Sequence, residues 1–173
     1  MQKIFIATIF IICQLISYSA LALTVSHPPI YKVKESDFIE KFNTLNIQYR
    51  YNLKSIKKNE EYLPEYDLAP NINLTMHRNS GNKLITRLKL NCDQSSNNQS
   101  ADMNKCQQSI QLISEAFDPD FELSDFERNK VCKSRGKVKL CSYEFNKVRY
   151  EQEHDLDDQS LRFIISTLLG RVS

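Results

Sequence analysis

The stretch from Cys106 to Cys141 constrains this chain most, because it combines an amphipathic helix, a helix-start signal and three of the five cysteines. Met103, Cys106, Ile110, Ile113 and Phe117 recur at spacings of three and four, and Leu112 and Ala116 widen the stripe, so the period predicts a helix from Asp102 to Phe117 with one buried face. Asn104, Lys105, Gln108, Gln111 and Ser114 form its polar face. Asp118-Pro119 ends it, since proline lacks a backbone donor and pushes the preceding residue out of the α region. A second, shorter helix is expected at once. Ser124, Asp125, Phe126 and Glu127 read as a capping box with Ser124 as N-cap. Phe126 and Val131 are expected to face the core, and Cys132 to Gly136 to close the helix and turn the chain into a strand.

Ahead of this lies a segment with the grammar of a secretory signal peptide. Lys3 precedes an apolar run from Ile4 to Ile16, and Ala20-Leu21-Ala22 puts small residues where a signal peptidase reads them, so cleavage is expected after Ala22. The run is shorter than the about 20 residues a membrane span needs, so the membrane is met only through the cleaved segment. Cys13 lies deep in the apolar run behind Phe10, Ile11 and Ile12, which does not fit a lipidation site. Removing 22 of the 173 residues leaves 151, and residues 23 to 173 suit one domain with its own core. Lys3 leaves too, so Lys plus Arg falls from 23 to 22 against 21 acids. Nucleic-acid binding draws on neutralised phosphates and wants a basic surplus, so no nucleic-acid partner is expected. The basic runs Lys54, Lys57, Lys58 and Lys133, Arg135, Lys137, Lys139 read as solvated faces.

Cys92, Cys106, Cys132 and Cys141 remain in the mature chain. An even count in an exported chain reads as two disulfides. Of three possible pairings, Cys92 with Cys106 and Cys132 with Cys141 is favoured, because each pair flanks a polar connection that would otherwise be loose. A zinc site competes poorly, since no two cysteines stand as C-x-x-C.

Read in order, His27-Pro28-Pro29 is an extended lead-in, and Ser36 or Asp37 is expected to cap a first helix that buries Phe38, Phe42 and Leu45 and ends near Asn46. Ile47, Tyr49, Tyr51 and Leu53 alternate with polar residues, which predicts a strand. Residues 57–70 read as a loop. Ile72, Leu74 and Met76, the turn Asn79-Ser80-Gly81-Asn82, and Leu84, Thr86, Leu88 and Leu90 predict a hairpin. Residues 93–101 form a polar loop held by the first disulfide. Residues 138–145 and 148–152 predict a second hairpin around Asn146-Lys147, an acidic loop runs from Glu153 to Asp158, and Leu161, Phe163 and Ile165 make a last strand before Gly170. Each half then consists of a helix followed by antiparallel strands, without a residue-by-residue repeat. The fold class is α+β, an antiparallel sheet with helices packed on one face.

Chemistry is harder to find. His27, His77 and His154 form no i, i+4 pair that could offer two nitrogens to one metal. Glu153, Asp155, Asp157 and Asp158 resemble a calcium loop but lack its glycine and closing glutamate. Gly81, Gly136 and Gly170 are the chain's three glycines, too few and too scattered for a nucleophile elbow or a phosphate-cradling loop. Paired carboxylates of a glycosidase leave no sequence signature, because the fold sets their partners. No cofactor or metal is expected, and neither is an enzyme. Tyr49, Tyr51, Tyr62, Tyr66 and Tyr150 could furnish a binding face, since tyrosine brings area with little entropy to lose.

At Phe38–Asn43 (FIEKFN), Ala116–Arg128 (AFDPDFELSDFER) and Tyr143–Tyr150 (YEFNKVRY) the chain resembles small exported bacterial proteins, mostly uncharacterised, with an α+β fold. The motifs are structural, and the resemblance implies no active site. Richness in Lys, Asn and Ile fits an AT-rich bacterial source; in a eukaryotic secreted protein Asn73-Leu74-Thr75 and Asn98-Gln99-Ser100 would be glycosylation sequons. The expected function is a non-enzymatic periplasmic or secreted protein that binds another envelope or exported protein, such as an immunity protein or inhibitor. Candidate contacts are Tyr62, Tyr66, Glu153, Asp155, Asp157 and Asp158, with the acidic loop suited to a basic partner. The alternative is a small-ligand carrier or envelope-maintenance factor with an apolar pocket.

Overall fold

The computed structural model describes residues 32–58, 63–94 and 101–168. The proposed signal peptide, Tyr62, Asn98 and the middle of the 93–101 loop lie outside them. Within them, three helices pack on one face of a seven-stranded antiparallel sheet, an α+β fold.

The first helix, α1 (Glu35–Tyr49), buries Phe38, Phe42 and Leu45 as their spacing requires. It departs from expectation at both ends. Lys34 is the N-cap and makes no side-chain cap, while Ser36 only donates to Asp37 Oδ1 at 2.8 Å. The helix runs past Asn46 to Tyr49, so the strand expected over 47–54 does not form. Ile47 is 76% exposed, and Arg50 turns left-handed (φ 56°) with its N–H on the Asn46 and Ile47 carbonyls. The alternation that suggested a strand is the helix surface followed by an irregular return.

That return is held by asparagine. Asn46 Nδ2 donates to Leu53 O (2.8 Å) and its Oδ1 accepts from Leu53 N–H (3.2 Å). One helical turn earlier, Asn43 Nδ2 donates to Ile56 O (2.8 Å) and its Oδ1 accepts from Ile56 N–H (2.9 Å). The segment thus runs back along α1 with side-chain amides standing in for a partner strand, which buries Leu53 and Ile56 without a ladder.

Part of the stretch expected to be loop is strand β1 (Glu65–Ala69), paired with β2 (Ile72–Arg78), which forms the expected hairpin with β3 (Ile85–Cys92). In that hairpin the left-handed residue is Lys83 (φ 55°), just past the Asn79–Asn82 cluster. Helix α2 (Met103–Phe117) follows as its period predicts, with Asp102 Oδ1 accepting from Asn104 N–H at 2.9 Å.

Helix α3 (Leu123–Asn129) starts two residues earlier than its capping box suggested: Glu122 is the N-cap, and Ser124 sits inside, its hydroxyl on Glu122 Oε2. It also stops earlier. Residues Val131–Arg135 are strand β4, exposed throughout, and Val131 is 64% exposed rather than in the core. A seven-residue helix buries one large residue here, Phe126, whose ring meets Phe163 edge-on at 5.7 Å. The chain then forms β5 (Val138–Phe145), β6 (Val148–Asp155) and β7 (Leu161–Thr167). Asn146 and Lys147 both have positive φ (48° and 62°), the type I′ pattern of a two-residue hairpin loop.

The sheet order is β1-β2-β3-β7-β6-β5-β4. The first half is one helix and the second half two, each followed by an antiparallel meander, and the last strands of the two halves, β3 and β7, pair at the centre. Two disulfides fasten it. Cys92–Cys106 (S–S 2.00 Å) ties β3 to α2, and Cys132–Cys141 (2.07 Å) bridges directly opposed residues of β4 and β5. Disulfides persist in oxidising compartments outside the cytosol, so that is where this fold belongs. No helix of the described residues is long and apolar enough to cross a membrane.

Candidate binding surfaces

Since side chains alternate along a strand, each sheet face collects its own set. Leu74, Leu90, Phe163, Ile165 and Tyr150 point toward the helices and are buried. The other face carries no helix among the described residues, and the register aligns its side chains into rows. One row runs Glu65, Thr75, Lys89, Ile164, Glu151, Ser142, Val131. A second contains Asn91, Arg162 and Glu153, where Arg162 Nε donates to Asn91 Oδ1 (3.3 Å) and its Nη1 to Glu153 Oε1 (2.8 Å). A third runs His77, Arg87, Ser166, Arg149, Glu144, closed by the Arg149–Glu144 ion pair at 2.5 Å.

Arg87 and Lys89 of β3 make no ion pair among the described residues, whereas Arg149 and Arg162 are matched to carboxylates. His77 stands opposite Arg87, and partial burial together with Arg87 and Lys89 holds its imidazole below the usual range, so it is neutral at pH 7. In the midst of these polar rows Ile164 is only 6% exposed. Long polar side chains cover an apolar neighbour with their methylene stems, and Ile164 is covered in this way between Lys89 on one side and Glu151 on the other.

A second concavity lies on the opposite side, between α2, α3 and the sheet. Ile110, Phe126, Leu161 and Phe163 wall a cleft of about 430 Å³, with Tyr51 and Gln111 at one side, joined by a Tyr51 hydroxyl to Gln111 Oε1 bond of 2.7 Å.

The acidic loop is less free than its composition suggests. Glu153 and Asp155 are strand residues; Glu153 is paired with Arg162 and Asp157 with Lys137. Asp155 Oδ1 accepts from Asp157 N–H (3.0 Å) and Asp158 Oδ1 from Ser160 N–H (2.9 Å); the Ser160 hydroxyl first, and its N–H second, hold the Asp158 carboxyl below its usual range. The tyrosines are dispersed. Tyr66 is buried on the helix side of β1. Tyr150 is buried with its hydroxyl on Asp118 Oδ2 at 2.9 Å. Tyr49 donates to both Glu115 oxygens (2.8 and 3.0 Å), which raises its own pKa and clasps α1 to α2. The described tyrosines therefore do not gather into one face, and the cationic pair on β3, Arg87 and Lys89, belongs to no motif in the sequence. Their two-residue spacing was the available signal.

No three His, Cys, Asp or Glu side chains gather to hold a metal among the described residues. No protein-family model and no curated protein sequence matches the chain. Among solved structures it is similar to a DUF4309 family protein (YjgB) from Bacillus subtilis, at a TM-score of 0.33 and 4% identity over 70% of this chain and 76% of that one.

Proposed function

We propose that this is an exported, non-enzymatic protein, cleaved after Ala22 and acting in the periplasm or outside the cell, that binds another protein through the open face of its sheet, as an inhibitor or immunity protein does. The observation that carries this reading is a sheet face that spans all seven strands and carries no helix among the described residues. Strands stand about 4.8 Å apart and rise about 3.3 Å per residue, so the face measures roughly 29 by 23 Å, or roughly 660 Å² before relief. A standard interface takes about 800 Å² from each partner. Sheet and protein interface are therefore matched in size.

Charge at these two positions favours an acidic patch on the partner, set over Arg87 and Lys89. Desolvating unpaired cations is costly unless a carboxylate meets them, which makes such a face selective as well as adhesive. This takes the place of the acidic loop as the steering element, because Glu153 and Asp157 of that loop are already paired with cations.

The test is capture of a partner from the cell envelope by the oxidised mature chain, compared with Arg87→Glu/Lys89→Glu and with Gln107→Glu on the exposed side of α2. A partner lost with the β3 double reversal and kept with the α2 change supports the reading. A partner held equally by all three proteins removes the open face from consideration.

A further inference from the structure

A sheet that does not close on itself has two edges, and each presents backbone N–H and C=O groups without a ladder partner. Here the edges are β1 and β4. The β1 edge is met by the segment that returns along α1, where Lys54 N–H donates to Leu68 O at 2.8 Å. The β4 edge is open. All five of its residues are exposed, and beyond its ladder with β5 no backbone hydrogen bond reaches Val131–Arg135 among the described residues.

The pairing with β5 decides which groups this edge offers. Directly opposed residues of an antiparallel pair stand about 5.5 Å apart at Cα where they exchange hydrogen bonds and about 4.5 Å apart where they do not. Cys132 and Cys141 are 4.0 Å apart, so they are of the second kind, and Cys132 turns its N–H and C=O away from β5. By alternation Ser134, opposite Lys139, does the same. The disulfide fastens the edge to its neighbour, which holds these four groups ready for an incoming strand.

Side chains set the chemistry of that strand. Lys133 and Arg135 lie on the open face of the sheet with Val131, and both cations are exposed and make no ion pair among the described residues. Their cross-strand neighbours, Leu140 and Val138, bring no carboxylate. A second copy of β4 is disfavoured, because the antiparallel register that uses all four outward groups sets Lys133 against Lys133, and like charges directly opposite repel. An acidic strand meets attraction at the same positions.

We propose that β4 takes an extended acidic segment of another protein as an added antiparallel strand. Residues of that segment opposite Cys132 and Ser134 exchange backbone hydrogen bonds with them, carboxylates stand opposite Lys133 and Arg135, and an apolar residue meets Val131. In strand addition the main chain supplies affinity and alternate side chains supply selection. Arg87 and Lys89 of β3 lie four strands away, roughly 19 Å at about 4.8 Å per strand, so this edge is a site of its own whether or not the face over β3 is occupied.

The experiment is a titration of the isotope-labelled, oxidised mature chain with the peptide acetyl-TEVEVIT-amide, followed by amide NMR at about 0.15 M salt, where charges are screened beyond about 8 Å. In the proposed register its valines face Ser134 and Cys132, its glutamates Arg135 and Lys133, and its isoleucine Val131. Saturable shifts centred on the Cys132 and Ser134 amides are expected. N-methylation of both valines removes the donors aimed at β4 and should abolish binding, whereas N-methylation of both glutamates, whose N–H groups point to solvent, should leave it largely unchanged. Lys133→Glu/Arg135→Glu should weaken binding about tenfold. Ser134→Pro, which removes an outward donor that the β5 ladder does not use, should weaken it as well. Arg87→Glu/Lys89→Glu should leave it unchanged, which separates this edge from the open face. Absence of saturable shifts, shifts centred on β3, binding that survives methylation of the valines, or equal binding of acetyl-TKVKVIT-amide would each overturn the proposal. The peptide comparisons on the unaltered chain stand even if a variant fails to fold.

Discussion

Asn46 and Leu53 exchange two hydrogen bonds, amide to backbone in both directions, with Asn46 6% exposed and Leu53 equally buried. Only an amide has a donor and an acceptor disposed to serve one residue's C=O and N–H together. Asn46→Asp keeps the shape but turns the donor into an acceptor facing Leu53 O. We expect a loss of about 2–4 kcal/mol, from a lost bond and a buried charge, read from urea midpoints. Asn46→Gln should be nearly as damaging despite equal chemistry, because the longer arm misplaces both groups. A loss below about 0.5 kcal/mol for either would mean that the return segment holds itself.

The carboxylate of Asp118 and the hydroxyl of Tyr150 form the second buried contact that can be tested, at 2.9 Å with both residues at 0% exposure. Burial raises the Asp118 pKa, while the Tyr150 hydroxyl and the Asp120 N–H pull it down. Tyr150→Phe removes one of the groups that favour the ionised form. The folded-state pKa therefore rises further above the unfolded value, and the ionised carboxylate becomes less well tolerated. The variant's deficit should be largest at pH 7, about 1–3 kcal/mol, and should shrink as pH falls through the raised folded-state pKa toward the unfolded value of about 4. Denaturation curves at pH 7 and pH 3.5 check the sign; a deficit that grows toward acid contradicts it.

Glu35, the first residue of α1, and Arg78, at the end of β2, form an ion pair whose side chains are 4% and 3% exposed. Glu35 N–H also donates to Lys83 O at 3.1 Å, so the helix start is fastened to the β2–β3 turn. Glu35→Ala leaves a buried guanidinium short of a carboxylate and should cost about 3–5 kcal/mol. The double change Glu35→Leu/Arg78→Met should recover most of that, because charge burial and charge attraction vanish together. Recovery of less than half in a double-mutant cycle would point to further roles for Arg78.

The two disulfides should respond differently to reductant. Cys92 and Cys106 are both inaccessible, whereas Cys132 lies on the exposed edge strand β4. Thiol exchange needs access to a sulfur. Mild reduction of the folded chain followed by alkylation should therefore label Cys132 and Cys141 first, with Cys92 and Cys106 labelled only as the fold opens. Peptide mapping decides this, and early labelling of Cys92 would refute it. Loss of the inner bridge should cost about 3 kcal/mol on the loop-entropy account.

What the chain determines locally was legible in its residues. The core faces of α1 and α2 follow from the spacing of Phe38, Phe42 and Leu45 and of Cys106, Ile110, Ile113 and Phe117. The β5–β6 hairpin follows from Asn146-Lys147, and the disulfide pairing from the connections that the cysteines flank. These are short-range effects, in which the period or the turn chemistry of a few residues has one low-energy solution. What extends across the chain was not legible. Ile47 and Tyr49 alternate as a strand would, yet they are helical, because Asn43 and Asn46 spend their amides on a segment up to thirteen residues away and the helix continues past them. Ser124 loses its capping role because α3 is positioned by Phe126 meeting Phe163 of the last strand. The open face exists only because β3 and β7, remote in sequence, pair at the centre and set Lys89 beside Ile164. The cleft likewise needs α2, α3 and β7 together. Local periodicity tells each element which side to bury; which element meets that side is set by long-range packing, where many weak contacts outweigh any single residue's preference.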